Sequence, residues 1–372
     1  MSRAPRAADD LMYREHPMDV RMTNRAKVSM TRRDFFARAA ATSAALAGAA
    51  AGLPLASCAQ DEPAAAPSGK SRVVVIRHDS LVAGGDGLSP KRVAEVLDEA
   101  AKALAGVARA ADAWARWFKP DDRLAVKVNC LGLPTSPAVA EALAFVLGSM
   151  DLPAERVTLW DRTSRELRAA GYTLRSDGAG PRCYGTDALA PRGNGGYSAD
   201  VFTSGQTGSL VSRIVTDQAT AVVSAAVLKD HNLAGLTGVM KNFFGAIHNP
   251  NKYHDNHCDP FIADVCAQKP IRDRLRLAVL DATRPQYQGG PASRPQWQWP
   301  YGGLIAGTDP VAADRIGCEI LSRKRAAVGM KSFDAEGRPV QHLASGQARG
   351  LGAADLERIE VVSIGRPWLD IE

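Results

Sequence analysis

The sequence has six cysteines among 372 residues, and no two of them form a C-x-x-C pair. This absence excludes the usual ferredoxin run and zinc ribbons, so no iron–sulfur cluster motif is present. Cys258 and Cys266 could bridge in an oxidising compartment, but free buried thiols are the usual state of cysteines outside a disulfide framework.

The sequence also lacks a basic stripe that would suit a nucleic acid. The formal charge is +6 at pH 7, but the segment before Cys58 holds nine Lys or Arg against five Asp or Glu. Without that segment the net charge falls to +2. We therefore expect no nucleic-acid partner.

A dinucleotide fingerprint and internal repeats are missing too. GGDG at 84–87 lacks the G-x-G-x-x-G spacing and does not directly follow a strand, so no nicotinamide cofactor is expected.

What is present begins with an export signal. Arg32 and Arg33 form a twin-arginine pair, and residues 39–60 are uncharged and rich in alanine. Because alanine partitions weakly into a bilayer, this stretch would make a poor permanent membrane helix. The pattern predicts export by the twin-arginine translocase.

The same stretch ends in LASC, which resembles a lipobox and predicts lipidation of Cys58. We expect a signal over 1–57, a flexible tether over 58–70 and a folded domain over 71–372. The protein would then be lipid-anchored on the periplasmic side of the envelope, at the outer membrane in a Gram-negative cell, since alanine follows Cys58. An uncleaved anchor helix and cleavage without lipidation are the alternatives.

The rest of the chain alternates short apolar runs with helical periodicity, which predicts an α/β fold with a mainly parallel sheet flanked by helices. Strands are predicted at 73–76, 124–128, 157–160, 221–228, 275–281 and 359–364, and helices at 90–118, after Pro137 and at 310–325. Residues 171–218, rich in Gly and Ser, predict an insertion or small second lobe, and residues 284–303 a surface loop.

The densest polar segment runs from Leu228 to Pro260. Lys229, Asp230, His231 and Asn232 follow a buried strand, where open parallel sheets usually bind their ligands. A helix beginning at Thr237 and Gly238, with Lys241 and Asn242 one turn in, would suit an anion, although a plain helix start is equally compatible with the sequence.

Histidines and carboxylates in and near this segment suggest a divalent metal, zinc or iron. His254 and His257 would share one face of a helix, and Asp281, at the end of another strand, could meet His231. The alternative is that these histidines are ordinary loop residues. Asp309 before Pro310 is a natural helix N-cap, which leaves Asp314 without a capping role.

Four stretches together resemble family 362 of the domains of unknown function, over about residues 70–330. They are LAVKVN at 124–129, LKDHNLAGLTGVMKNFFGAI at 228–247, AVLDA at 278–282 and GTDPVAAD at 307–314. The resemblance implies that the family's motif positions are Lys127, Asn129, Lys229, His231, Lys241, Asn242, Asp309 and Asp314. Many relatives also carry ferredoxin-like cysteine segments, which this sequence lacks.

These observations lead us to expect a metal-dependent enzyme acting on a small anionic substrate. Its catalytic residues would be Lys229, His231, Lys241 and Asp314, its ligand- or cofactor-binding residues Lys127, Asn129 and Asn242, and its metal ligands His231, His254, His257 and Asp281. The alternatives are a non-catalytic metal- or ligand-binding protein and an accessory factor of a redox complex.

Overall fold

A computed structural model describes residues 69–82, 87–150 and 152–371, all of which belong to one compact unit, Glu62–Glu372. Arg32, Arg33, Cys58 and the predicted tether up to residue 68 lie outside the described residues. Within the described part of the chain, no helix combines the length and apolar character needed to span a membrane.

The centre of the fold is a nine-stranded sheet, accompanied by a separate two-stranded hairpin of β5 and β6. The strands are β1 Ser71–Arg77, β2 Leu124–Val128, β3 Val157–Trp160, β4 Arg182–Cys183, β5 Phe202–Ser204, β6 Thr207–Ser209, β7 Ala221–His231, β8 Gly235–Thr237, β9 Leu275–Gln286, β10 Gly303–Gly307 and β11 Ile359–Gly365.

The strand order is β11-β1-β10-β9-β7-β2-β3-β4, with β8 paired to β7. Five strand pairs are parallel, while β10 is antiparallel to both of its neighbours and β8 folds back on β7 as a hairpin. The predicted α/β class with a mainly parallel sheet is therefore confirmed.

Helices cover both faces of the sheet. They are α1 Pro90–Ala105, α2 Ala110–Trp114, α3 Pro137–Gly148, α4 Ser164–Ala169, α5 Phe261–Ala267, α6 Lys269–Arg272, α7 Pro310–Ala327 and α8 His342–Ala348. Alternate residues of β1 enter two different cores: Val74 packs with α1 and α3, and Val73 packs with α7. Because both faces are buried, the strands read as continuous apolar runs rather than as alternating patterns.

Some expected elements differ in detail. The helix predicted over 90–118 divides because Gly106 takes φ 66°, a left-handed conformation that ends α1. Strand β7 continues to His231 because β8 pairs with its last three residues. The antiparallel strand β10 was not predicted.

The expected surface loop at 284–303 is wrong in part. Tyr287, Trp299 and Tyr301 are buried, and Trp299 contacts each of the two tyrosines edge to face. Residues up to Gln286 belong to β9. The Gly/Ser-rich segment 171–218 contributes β4 to the edge of the main sheet and forms the β5–β6 hairpin.

Candidate active site

A cleft of about 150 Å³ opens where β2, β3 and β7 end. Neighbouring parallel strands bring their carboxyl ends to one edge of the sheet, so side chains distant in sequence meet there. The cleft is lined by residues that include Lys127, Asn129, Asp161, Arg162, Lys229, His231, Thr237, Lys241, Asn242, Phe244, Gly245 and His254.

The alternation of β7 decides which of its polar residues reach the cleft. Lys229 and His231 are two positions apart and line it. Asp230 points the other way, where it pairs with Arg338 at 2.8 Å and accepts a 2.7 Å hydrogen bond from the Gly290 N–H. The strand end therefore supplies two polar side chains to the cleft, and Asp230 stabilises the packing behind it.

The floor of the cleft is a closed hydrogen-bonded group. The Lys127 ammonium donates to Asp161 at 2.6 Å, to the Val128 carbonyl at 2.6 Å and to the Asn242 side-chain oxygen at 3.0 Å. Asn242 donates in turn to the Lys127 carbonyl and to Ser224 Oγ. These contacts use the three ammonium protons of Lys127 and both amide protons of Asn242, so the two residues hold the floor together.

Lys229 is held in a similar way. Its ammonium donates to Asn129 Oδ1 at 2.9 Å and to the carbonyls of Leu131 and Leu133 at 2.5 and 2.7 Å. Burial lowers the pKa of Lys229 to about 7, although the carboxylates of Asp161 and Asp230 favour its charged form. Lys229 ties the loop after β2 to β7 and adds positive charge beneath the cleft.

Asp314 fixes the turn that leads to Lys241. Its carboxylate accepts hydrogen bonds from the backbone N–H groups of Val239 and Met240, at 2.7 and 3.0 Å. The expected anion-binding helix start at Thr237 and Gly238 is therefore wrong. Thr237 ends β8, a 3₁₀ helix begins at Lys241, and the buried Asp314 carboxylate already occupies the free N–H groups.

Two further carboxylates act as helix caps. Asp309 caps α7 as expected, accepting from the Ala312 N–H at 2.8 Å. Asp281 accepts from the Ser136 N–H at 2.8 Å at the start of α3, and from the backbone and hydroxyl of Thr283. Asp281 therefore does not join His231 in the cleft.

The hydrogen bonds of His231 define its tautomer. Its Nδ1 accepts from the backbone N–H groups of Leu233 and Ala234, at 3.1 and 3.2 Å. Burial, reinforced by the charge of Lys241, lowers the pKa of His231 to about 2. Its ring is consequently neutral and carries its proton on Nε2, which makes His231 a hydrogen-bond donor. That proton occupies the nitrogen that a metal would need.

His254 has the opposite tautomer. Its Nδ1 lies 3.0 Å from the Pro250 carbonyl and donates to it, which leaves the Nε2 lone pair free. Nε2 lies 3.3 Å from the Lys241 ammonium. Burial lowers the pKa of His254, and the charge of Lys241 lowers it further, so His254 is a neutral acceptor beside a buried ammonium.

Lys241 differs from the other two lysines of the cleft. Its ammonium contacts His254 and the face of Phe244, whose ring centroid lies 4.2 Å from Nζ. Two of its three ammonium protons therefore have no acceptor among the described residues. Burial lowers the pKa of Lys241 to about 8.

The expected metal set does not assemble. The rings of His231 and His254 lie close, with their centroids 6.0 Å apart. His257 forms no hydrogen bond with a described cleft residue, and its Nδ1 instead lies 3.3 Å from the Leu233 carbonyl oxygen. His257 and His254 do not share a helix, because residues 256–258 have positive φ. Across the described ranges, no three His, Cys, Asp or Glu side chains converge as metal ligands. Cys258 and Cys266 are buried and unbridged.

Comparison with known proteins places this geometry in a family. A sequence profile described as a domain of unknown function, DUF362, matches residues 125–319. The chain belongs to this family. The DUF362 segment contains every polar cleft residue named above, from Lys127 to His254.

Solved structures resemble part of this chain only distantly. A solved protein from Thermotoga maritima, determined by structural genomics, is 13% identical over 64% of this chain, with a TM-score of 0.42. The chain spans 60% of the length of that protein. No curated protein matches the chain.

Asp161 and Phe244 are among the residues of the DUF362 cleft that were not predicted from the sequence, and Thr237 was predicted in a different role. Asp161 directly follows β3 and bonds Lys127, and its place after a buried strand was the signal that could have identified it. Thr237 was expected to begin a helix, but its buried Oγ1 has no partner among the described residues and lines the cleft. Phe244 supplies the aromatic face beneath Lys241.

Proposed function

We propose that this protein binds a small anion, a carboxylate or an oxyanion of phosphate size, in the strand-end cleft and acts on it as an enzyme. One observation carries the proposal: Lys241 is 7% exposed, yet its ammonium pairs with no carboxylate in the described part of the chain. Burying an ammonium without a counter-charge is costly, and a bound anion would offset that cost.

The free donors of the cleft support the same class of ligand. Within the described ranges, acceptors are missing for two of the three Lys241 ammonium protons, for His231 Nε2–H, for the Thr237 hydroxyl and for the Asn129 amide nitrogen. All four residues line one cleft. A ligand rich in acceptor oxygens would satisfy groups that are otherwise left without partners.

The size of the cleft favours a small ligand. A water molecule takes about 30 Å³ of liquid volume, so a 150 Å³ cavity accommodates roughly five groups of that size. Phe244, Pro250 and Pro291 add apolar walls. A short-chain organic acid fits these dimensions better than a nucleotide does.

The pair of Lys241 and His254 favours an enzyme over a passive binding protein. A buried ammonium in contact with a neutral imidazole can donate a proton to a ligand or return it to the ring. The metal part of the expectation lacks comparable support, because His231 uses its Nδ1 lone pair for backbone N–H groups.

Calorimetric titration with sulfate and with pyruvate tests the binding step. Both should bind to the purified mature protein, and Lys241→Met should weaken binding at least tenfold because it removes the charge and the free donors. Lys119→Met, at an exposed position outside the cleft, is the matched control. Binding should persist with a chelator present. Equal affinities for wild type and Lys241→Met would refute the proposal.

Export and lipid anchoring are a separate proposal, supported by Arg32, Arg33 and Cys58 in the sequence. We expect metabolic labelling with a fatty-acid analogue to mark the wild type and not Cys58→Ser. Replacing Arg32 and Arg33 together with Lys should leave the protein in the cytoplasm. Labelling of Cys58→Ser at the wild-type level would contradict the lipidation site.

A further inference from the structure

We infer that Lys241 is a nucleophile that forms an imine with a 2-oxo carboxylate bound in the cleft. This inference rests on the proposed function and makes it more specific, because it assigns a substrate class and a covalent step. It follows from the different hydrogen-bonding states of the three cleft lysines and from the tautomers of the two adjacent histidines.

The three cleft lysines differ in whether their nitrogen is available to a ligand. Lys127 and Lys229 each donate to three oxygen acceptors, so their nitrogens have no free direction toward a ligand. Lys241 has one hydrogen-bonding partner, His254, and lines the same cleft. Of the lysines that line the cleft in the described chain, Lys241 is the one whose nitrogen can approach a carbonyl carbon.

Lys241 also has a neighbouring base that can activate it. An amine attacks only in its neutral form, so it needs a base to take its proton or an environment that disfavours its charge. His254 Nε2 is an unprotonated acceptor 3.3 Å from Nζ. Burial also disfavours the ammonium, whereas the Phe244 face stabilises it, so the base is needed at neutral pH.

Most of the titratable groups that face Lys241 are basic. Lys229, His231, His254 and His342 are basic groups that sense its charge, and Cys258 is the acidic group among the neighbours that affect its pKa. Burial raises the pKa of the Cys258 thiol, which keeps it neutral. No carboxylate pairs with Lys241 among residues 69–82, 87–150 and 152–371 to hold its proton in place.

The other free donors of the cleft match the two functional groups of a 2-oxo carboxylate. An amine that attacks a carbonyl creates negative charge on the carbonyl oxygen, which a neutral donor can stabilise without losing its proton. His231 is such a donor, because its Nε2–H is free and its ring stays neutral. The Thr237 hydroxyl and the Asn129 amide remain for the carboxylate.

The step balances without an external oxidant or reductant. The Lys241 nitrogen forms a bond to the carbonyl carbon, and the π electrons of the C=O bond move to the oxygen. The two protons of the neutral Lys241 amine pass to that oxygen through His254, the C–O bond breaks, and the oxygen leaves as water. The products are a C=N bond to Lys241 and one water molecule.

Borohydride trapping tests this inference on the purified mature protein. Pyruvate, glyoxylate and 2-oxoglutarate serve as probes, with acetate as the matched acid that has no carbonyl group. We expect at least one oxo acid to leave a reduced adduct on the peptide that contains Lys241, located by tandem mass spectrometry, and acetate to leave none. Exposed Lys119 is the internal reference for non-specific reaction.

A second variant, together with sulfate binding by the wild type, separates the inference from the proposed function. Lys241→Arg keeps the positive charge but cannot form an imine, so it should give no adduct at position 241. Wild-type protein that binds sulfate but yields no adduct at Lys241 with any of the three oxo acids overturns the inference and leaves anion binding intact. An adduct spread equally over Lys241 and Lys119 overturns it as well. Absence of sulfate binding instead refutes the proposed function.

Discussion

Asp314 accepts a 2.7 Å hydrogen bond from the backbone N–H of Val239, across 75 positions of the chain. Its second oxygen accepts from Met240. The cleft residues Lys241 and Asn242 come immediately after this turn, so a buried carboxylate on α7 determines where they lie. Asp314, expected to be catalytic, is therefore a positioning residue.

Replacing Asp314 with Ala should destabilise the protein. Two buried N–H groups would lose their acceptor, at about 1–3 kcal/mol each, so we expect the free energy of unfolding to fall by roughly 2–6 kcal/mol. Denaturant unfolding measures the change. Asp334→Ala, at an exposed position, is the control and should have little effect. A loss for Asp314→Ala no larger than that of the control would contradict the assigned role.

Gly245 is required by the floor of the cleft. A Cβ at this position would lie 2.7 Å from both Asp161 Oδ1 and Lys127 Nζ. Gly245→Ala should therefore push this ion pair apart, cost about 1–3 kcal/mol of stability and weaken sulfate binding. Gly148→Ala is the matched control, because its Cβ would meet its nearest neighbour at 3.8 Å. Two variants of equal stability and affinity would show that the floor tolerates the methyl group.

Sulfate affinity should fall as the pH rises. The free protein carries Lys241 with a pKa lowered to about 8 and Lys229 with a pKa lowered to about 7, and each attracts an anion only when protonated. Sulfate itself stays ionised in this range, so the loss reflects the protein. Above the pKa of Lys241 we expect affinity to drop by up to about tenfold per pH unit for each linked proton. Titration calorimetry at several pH values measures the slope, and Lys241→Met should flatten it. An affinity that rises with pH would reverse the predicted sign.

His231 should remain neutral well into the acidic range. Its pKa is lowered to about 2 by burial, and its Nδ1 already accepts two N–H groups. Nitrogen NMR should show the Nε2–H tautomer unchanged between about pH 8 and pH 5. The loss of that signal in His231→Gln assigns it. Protonation of the ring above pH 5 would remove the basis for His231 as a neutral donor.

Much of the fold follows from local sequence. The continuous apolar runs of β2 and β3 end where predicted, at Val128 and Trp160. Because these runs are apolar at every position, they indicate strands that are buried on both faces of the sheet. The helical segments between them indicate that the strands are parallel. The position of the cleft follows as well, because polar residues after buried strands at Asn129 and Lys229 must meet at one edge of the sheet.

The roles of individual residues did not follow from sequence. Histidine spacing suggested that His254 and His257 share a helix, but positive φ at His257 turns the chain and separates them. The sequence does not show which nitrogen of His231 or His254 carries a proton, since carbonyl and N–H groups from other turns decide that.

By itself, the sequence determined the α/β class, the family and the edge of the sheet where polar residues collect, because these depend on periodicity and chain order. Only the tertiary structure decided that Asp281 and Asp314 cap backbone groups, that Lys127 and Lys229 use all their protons within the fold, and that Lys241 does not. Hydrogen-bond satisfaction depends on atoms brought together from distant segments, so it is fixed only when the chain is folded.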